Sequence, residues 1–278
     1  MYRPPPPLGD HVEFFGHWLH RGSSYRSRAL PRGAVTIVID VGRRHRLDFY
    51  AADGRTRLAV PPAVVAGPHR ASYVTDIAAE EPAMAIHFRP GGAFPFLGVP
   101  LGDIEDAAIG LDELWGRAGR EVHERLIEAP SVPARFAILE GFLLARARFG
   151  VSRDPGVAGA VAAIEANPSI RMTELRRLSG LSTKRMLALF RAEIGLTPKA
   201  YARVRRLQAA LRQLGEGTVG GARIAADAGY FDQPHFVREF RSFTAMTPTQ
   251  YVRQPLVLPS HVPAGRHKYA IPPAPAAS

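Results

Sequence analysis

Ser182-Thr-Lys-Arg-Met-Leu-Ala-Leu-Phe190-Arg191, followed by Thr197-Pro198 and Tyr201, has a counterpart fifty positions on. That counterpart is Asp232-Gln-Pro-His-Phe-Val-Arg-Glu-Phe240-Arg241, followed by Thr247-Pro248 and Tyr251. Self-similarity at a fixed offset means one structural unit used twice.

The unit reads as two short helices around a tight turn. In the first copy Leu175 and Leu178 share a helix face, Gly180 breaks the chain, and Ser182 is a good N-cap. Met186, Leu189 and Phe190 then give the second helix its apolar face. In the second copy Ile224, Ala225 and Ala228 form the first face, Gly229 turns, and Asp232 caps. Phe236, Phe240 and Phe243 follow at i, i+4 and i+7. Two helices joined by a Gly-containing turn make a helix-turn-helix, whose second helix enters the major groove. Thr197-Pro198 starts a longer helix running to about Leu214, with Thr as cap and Pro in the first turn. At 1.5 Å per residue it is a rod of roughly 25 Å, against roughly 34 Å between successive major-groove faces.

Ile224-Ala225, Gly229-Tyr230, Asp232, His235-Phe236, Arg238, Phe240-Arg241 and Thr247-Pro248 with Tyr251 resemble the C-terminal signature of AraC/XylS-type bacterial transcription regulators. The first copy, from Leu175 to Tyr201, is similar to that family's upstream helix-turn-helix, and the resemblance covers about Val157 to Arg253. It implies base reading by Lys184, Leu187 and Ala188 on the first recognition helix, and by Gln233, Pro234 and Arg238 on the second. Thr183, Arg185, Arg191 and Arg241 become phosphate candidates. Where this chain has Ala188 the family often carries a long polar residue. Leu187 either meets a thymine methyl or packs inward. His235 is read as a packing residue.

Charge divides unevenly. Residues 1–155 hold 19 Lys+Arg and 18 Asp+Glu, whereas residues 156–256 hold 15 and 7. A basic segment beside a nearly neutral one directs its field at phosphates. There are no cysteines, which excludes disulfides and thiolate metal sites. No apolar run reaches the length of a membrane span, and Met1 to Pro7 has no apolar signal core, so the expected compartment is the cytoplasm.

The first half reads as short strands: Glu13–His20, Ala34–Val41, Arg46–Ala51, Leu58–Val60, Ala63–Ala66, Ala71–Ile77 and Ala83–Phe88. Asp53-Gly54 marks a tight hairpin turn. Such spacing suggests a sandwich or barrel. The resemblance implies a cupin-like, jelly-roll regulatory domain here; a neutral, strand-rich domain attached to a DNA reader in turn suggests an apolar pocket inside it, near Trp18, Tyr50 and Phe88. Leu111–Ala129 and Pro133–Phe149 read as helices, the second apolar over two faces. One face covers the strands; the other meets either a second copy of the chain or more of its own fold.

The expected organisation is α+β: a cupin-like domain over 1–150, a linker at 151–156, an all-α DNA-binding domain with two helix-turn-helix units over 157–254, and a disordered tail over 255–278. Promoter DNA is the expected partner. RNA polymerase, a small-molecule effector and a second subunit are the further candidates; no cofactor and no membrane are expected. His17, His20, His45, His69 and His87 offer no His-x-His pair of the kind cupin metal sites use, so neither a metal nor an enzymatic activity is expected. Two alternatives stand beside a sequence-specific regulator: a general architectural DNA binder, and a cupin-type enzyme fused to a DNA-binding domain.

Overall fold

The computed structural model describes residues 1–42, 46–147, 153–217, 220–253 and 260–264. His45, Phe149, most of the tail and residues 151–152 of the expected linker lie outside them.

The first half is a sandwich of two antiparallel sheets. Its strands are β1 (Val12–Leu19), β2 (Tyr25–Ala29), β3 (Thr36–Asp40), β4 (Phe49–Tyr50), β5 (Arg57–Leu58), β6 (Ala63–Ala66), β7 (Tyr73–Ile77), β8 (Pro82–Phe88) and β9 (Ala108–Gly110). A tenth, β10 (His261–Pro263), returns from beyond the helical half. One sheet has the order β1-β8-β3-β6-β9, the other β10-β2-β7-β4-β5.

Strand periodicity decides which side chains face where. Successive residues point to opposite sides of a sheet. On β3, Ile37 and Ile39 go to a core behind the first sheet, and Thr36 and Val38 face the space between the sheets. On β8, Ile86 and Phe88 go behind, while Ala85 and His87 face between. The core behind is closed by α1 (Phe94–Leu97), α2 (Leu111–Trp115), α3 (Arg117–Glu128) and α4 (Val132–Arg146).

The sequence expectations need four corrections here. β2, Tyr-Arg-Ser-Arg-Ala, has no apolar alternation and was not expected; its buried Arg28 instead donates from Nη1 to Ala52 O and Ser72 Oγ, both at 2.9 Å. The single helix over 111–129 is two, because Gly116 adopts φ 59° and ψ −135°, outside the helical region. Of the expected linker, residues 153–156 are tied down. Asp154 caps the next helix by accepting from Gly156 N, Pro155 is that helix's first residue, and Arg153 Nη2 donates to Pro90 O at 2.7 Å. Asp-Pro is thus a helix start rather than a turn. Finally, part of the supposedly disordered tail is strand, since β10 pairs His261 with Ala29 and Pro263 with Ser27. Its Pro sits on a sheet edge, where a missing donor is tolerated.

The second half is all helix: α5 (Pro155–Ala166), α6 (Met172–Ser179), α7 (Thr183–Ile194), α8 (Pro198–Gly215), α9 (Gly221–Asp227), α10 (Gln233–Thr244) and α11 (Pro248–Val252). The sequence repeat is a repeat of caps. Ser182 Oγ accepts from Arg185 N, and Asp232 Oδ1 from His235 N. Thr197 Oγ1 accepts from Ala200 N, and Thr247 Oγ1 from Gln250 N. The turns at Gly180 and Gly229 have φ of 66° and 83°, a left-handed geometry that favours glycine. Each unit has its own core. Met186, Phe190, Ile194 and Tyr201 fill the first; Phe236, Phe240, Phe243 and Tyr251 fill the second.

Candidate nucleic-acid interface and effector cavity

A side chain can read DNA only if its helix keeps it out of the core. On α7, Met186 and Phe190 are buried, while Thr183, Lys184, Arg185, Leu187 and Ala188 are exposed. Leu187 is 38% exposed, which decides against inward packing. On α10, Phe236, Phe240 and Phe243 are buried, and Gln233, Pro234, Arg238 and Arg241 are exposed. His235 is half-buried and stands edge-on to Tyr230, with ring centroids 5.5 Å apart. α7 and α10 therefore each keep these residues at the surface, a mixed face on α7 and a mainly polar one on α10. α8, at 18 residues, runs about 27 Å between the two units.

Two features of this face were not legible in the sequence. Phe231, beside the cap of α10, is 92% exposed. It lies five residues before Phe236, outside the i, i+4, i+7 spacing that commits the other phenylalanines to the core. An aromatic there can lie against sugars or a thymine methyl. The second feature is Arg191, whose Nη2 stands 3.2 Å from Glu105 Oε2, a carboxylate of the first half that also pairs with Arg70 at 3.1 Å. The segment Leu101–Ile104 lies against α7, and a Cβ on Gly102 would meet the Arg191 side chain at 2.5 Å. The sequence places Arg191 as a free phosphate contact; the fold ties it to the other half.

Glu105→Ala should therefore tighten DNA binding. The pair is exposed on one side only, 57% at Arg191 and 10% at Glu105, and about 1 kcal/mol of pairing corresponds to a gain of about five-fold. Titration of labelled DNA at low salt measures it, and the gain should vanish in an Arg191→Ala background. A gain that persists there would place the effect elsewhere.

Between the two sheets lies a cavity of about 890 Å³. Trp18, Tyr25, Phe49 and Tyr73 give it aromatic walls. Of the three residues expected to line it, only Trp18 does. Tyr50 points the other way on β4 and donates to Asp76 Oδ2 at 2.9 Å, and Phe88 is fully buried behind the first sheet. The correct neighbours, Phe49 and His87, are one residue away in each case, as alternation along a strand requires. Gly16 is what lets Trp18 lie over β1, because a Cβ there would meet the indole at 1.9 Å.

Polar groups gather at one end of the cavity. Arg32 is hydrogen-bonded to Glu13 and to His87 Nδ1. Burial, with Arg32 beside it, holds His87 well below the usual imidazole range, and the same causes push His261 down to about 4. His69 is lowered by burial too, and its Nδ1 lies 2.5 Å from Gly67 O. All three are neutral imidazoles near neutral pH. His17 is likewise lowered, by burial and by Arg135, and His20 Nε2 lies 2.9 Å from Ser23 O. Among the described residues no group of three His, Asp or Glu side chains could hold a metal ion. No described helix is long and apolar enough to cross a membrane.

Residues 175–254 match a family described as Helix-turn-helix domain, and residues 1–110 match one described as Domain of unknown function (DUF6597). The chain is 30% identical over 82 residues to a probable transcriptional regulator, LumQ, of Photobacterium leiognathi, covering 30% of this chain and 33% of that protein. It is 30% identical over 105 residues to a putative AraC-like transcription regulator of Streptomyces antibioticus, covering 37% and 35%. The matched segments thus span about a third of the length of these curated relatives. Among solved structures, ToxT from Vibrio cholerae aligns over 86% of this chain and 98% of its own, at 11% identity and a TM-score of 0.49.

Proposed function

With an AraC-type helix-turn-helix domain over residues 175–254 as premise, we propose that this chain is a cytoplasmic, sequence-specific transcription regulator of the AraC/XylS type. Its helical half reads two successive major-groove segments of promoter DNA, and its N-terminal sandwich modulates that reading by binding a small-molecule effector or a second subunit. The observation that carries the proposal is the pair of capped helices, α7 and α10, each with an apolar side in its own core and the other side exposed. Lys184, Leu187 and Ala188 take the base-reading positions of the first; Gln233, Pro234 and Arg238 take those of the second. Thr183, Arg185 and Arg241 approach phosphates, as does Arg191 once Glu105 releases it. The roughly 890 Å³ cavity supports the effector role. Chemistry plays no part in the proposal, and RNA polymerase is the partner an activator would contact.

The test is binding of the full chain to DNA flanking its own gene against random DNA over a salt series. A specific regulator should prefer its site by about 10³-fold or more, with the preference surviving as salt weakens both. A ratio near one identifies an architectural binder.

A further inference from the structure

We propose that the cavity binds an uncharged, ring-bearing apolar molecule carrying an acceptor oxygen, and that β10 forms one wall of this site. Ligand occupancy would then be coupled to the second helix-turn-helix unit through a single strand. The inference rests on the effector role proposed above and names the ligand class and the coupling element.

The ligand class follows from the lining. The aromatic walls suit a ring-bearing body. The polar end is built from Arg32, His87 and His261. Glu13 balances the charge of Arg32, yet it lines a separate cleft between the two halves, not the cavity. The ligand therefore meets a guanidinium already neutralised from behind, together with two neutral imidazoles. Such an end offers hydrogen-bond donors without net charge. An acceptor oxygen is satisfied there, whereas a full anion would be buried against a cation that Glu13 already balances; Arg21 and Arg46, which also line the cavity, are solvent-exposed, and Arg46 is paired with Asp48.

The coupling follows from alternation along β10. His261 faces the cavity, with Nδ1 3.0 Å from Ser27 Oγ. Val262, one residue on, is 1% exposed and belongs to the core cluster of Leu207, Leu211, Phe240 and Tyr251. Leu30, which follows β2, belongs to the same cluster and also lines the cavity. The strand is held by Leu30 N donating to Ser260 O at 2.8 Å and Ala264 N donating to Arg26 O at 3.0 Å. One side of this two-strand ribbon is thus a cavity wall, and the other is part of the reader's core. A ligand that bonds His261 stabilises the docked strand, and by linkage a docked strand tightens the ligand site.

The experiment uses the full chain and two dyes. Nile red is neutral and carries a carbonyl oxygen; anilinonaphthalene sulfonate is a comparable anion. Trp115→Phe leaves Trp18, in the cavity wall, as the sole tryptophan. In that background Nile red should bind and quench Trp18, and the sulfonate should bind at least about ten-fold more weakly. Ala85→Phe, which puts a ring into the cavity without adding a tryptophan, should abolish the signal. His261→Ala should weaken Nile red by about five-fold, the effect of one lost hydrogen bond. Val262→Asp should weaken it comparably by undocking β10 from the opposite side, with Val262→Ala as the milder variant if the fold suffers by circular dichroism. Equal or tighter sulfonate binding overturns the ligand class. No Nile red binding, or binding that survives Ala85→Phe, overturns the site. Unchanged affinity in both the His261 and Val262 variants overturns the wall. DNA selectivity is read in parallel: its loss in the unsubstituted chain counts against the regulator, whereas failed dye binding alone counts only against this site.

Discussion

Phe240→Ala should cost about 3–5 kcal/mol and abolish DNA binding, because it empties the centre of the second reader's core. Phe240 is fully buried. Its ring stands edge-on to Phe236 at 5.6 Å and to Tyr251 at 5.5 Å, so one truncation strips contacts from both neighbours. Domains of this size are stable by only about 5–15 kcal/mol, so a loss of that order leaves the unit partly unfolded at working temperatures. The two units have separate cores, and Phe190, edge-on to Tyr201 at 5.7 Å, holds the equivalent place in the first. Denaturant unfolding of Phe240→Ala should therefore become biphasic, with the second unit melting early and the sandwich close to its usual midpoint. A single transition with an unshifted midpoint would mean that the unit does not depend on this core. Hydrogen exchange offers a second reading: Val262 shares the cluster, so β10 amides should lose protection along with α10.

What could be read ahead of the structure divides along physical lines. The helical half was legible because its signals are local. Ser182, Thr197, Asp232 and Thr247 each cap a helix three residues upstream of the amide they accept from, and Gly180 and Gly229 take the left-handed geometry at the turns. The sandwich was legible as strands but not as faces. Apolar residues of β3 and β8 fall on both faces, Val38 and Ala85 toward the cavity and Ile37 and Ile86 behind, and Phe49 and Tyr50 on β4 are both aromatic, so alternation alone does not mark which side holds the cavity. That ambiguity put Tyr50 and Phe88 in the pocket in place of Phe49 and His87. β2 escaped because Ser27 and Arg28 are buried through long-range hydrogen bonds rather than hydrophobicity. The links between the halves, Glu105 with Arg191 and β10 with β2, join residues 86 and more than 230 positions apart, and no local pattern carries them.

Arg238→Ala should cost about 1–3 kcal/mol at the target site and relax the preference at one base pair. Both Gln233 and Arg238 stand exposed on α10, and each can make a two-pronged contact, Gln with adenine and Arg with guanine. α7 offers Lys184 beside Leu187 and Ala188, which have no hydrogen-bonding groups to offer a base. Discrimination should therefore lean on the second unit, with the first contributing more to affinity. Arg241 is the internal comparison. It lies in the last turn of α10, three residues beyond Arg238 and matched across the repeat by Arg191. A phosphate contact carries no base information, so Arg241→Ala should weaken all sequences alike and reduce the salt slope by about one. Neither arginine is buried, so both variants should fold, which separates their effects from those of Phe240→Ala. The measurement is competition against every single-base change in the site, repeated at two salt concentrations. Uniform weakening by Arg238→Ala would make that residue a phosphate anchor. The docking of α10 would then have to turn so that Gln233 and the exposed Phe231, rather than Arg238, approach the bases.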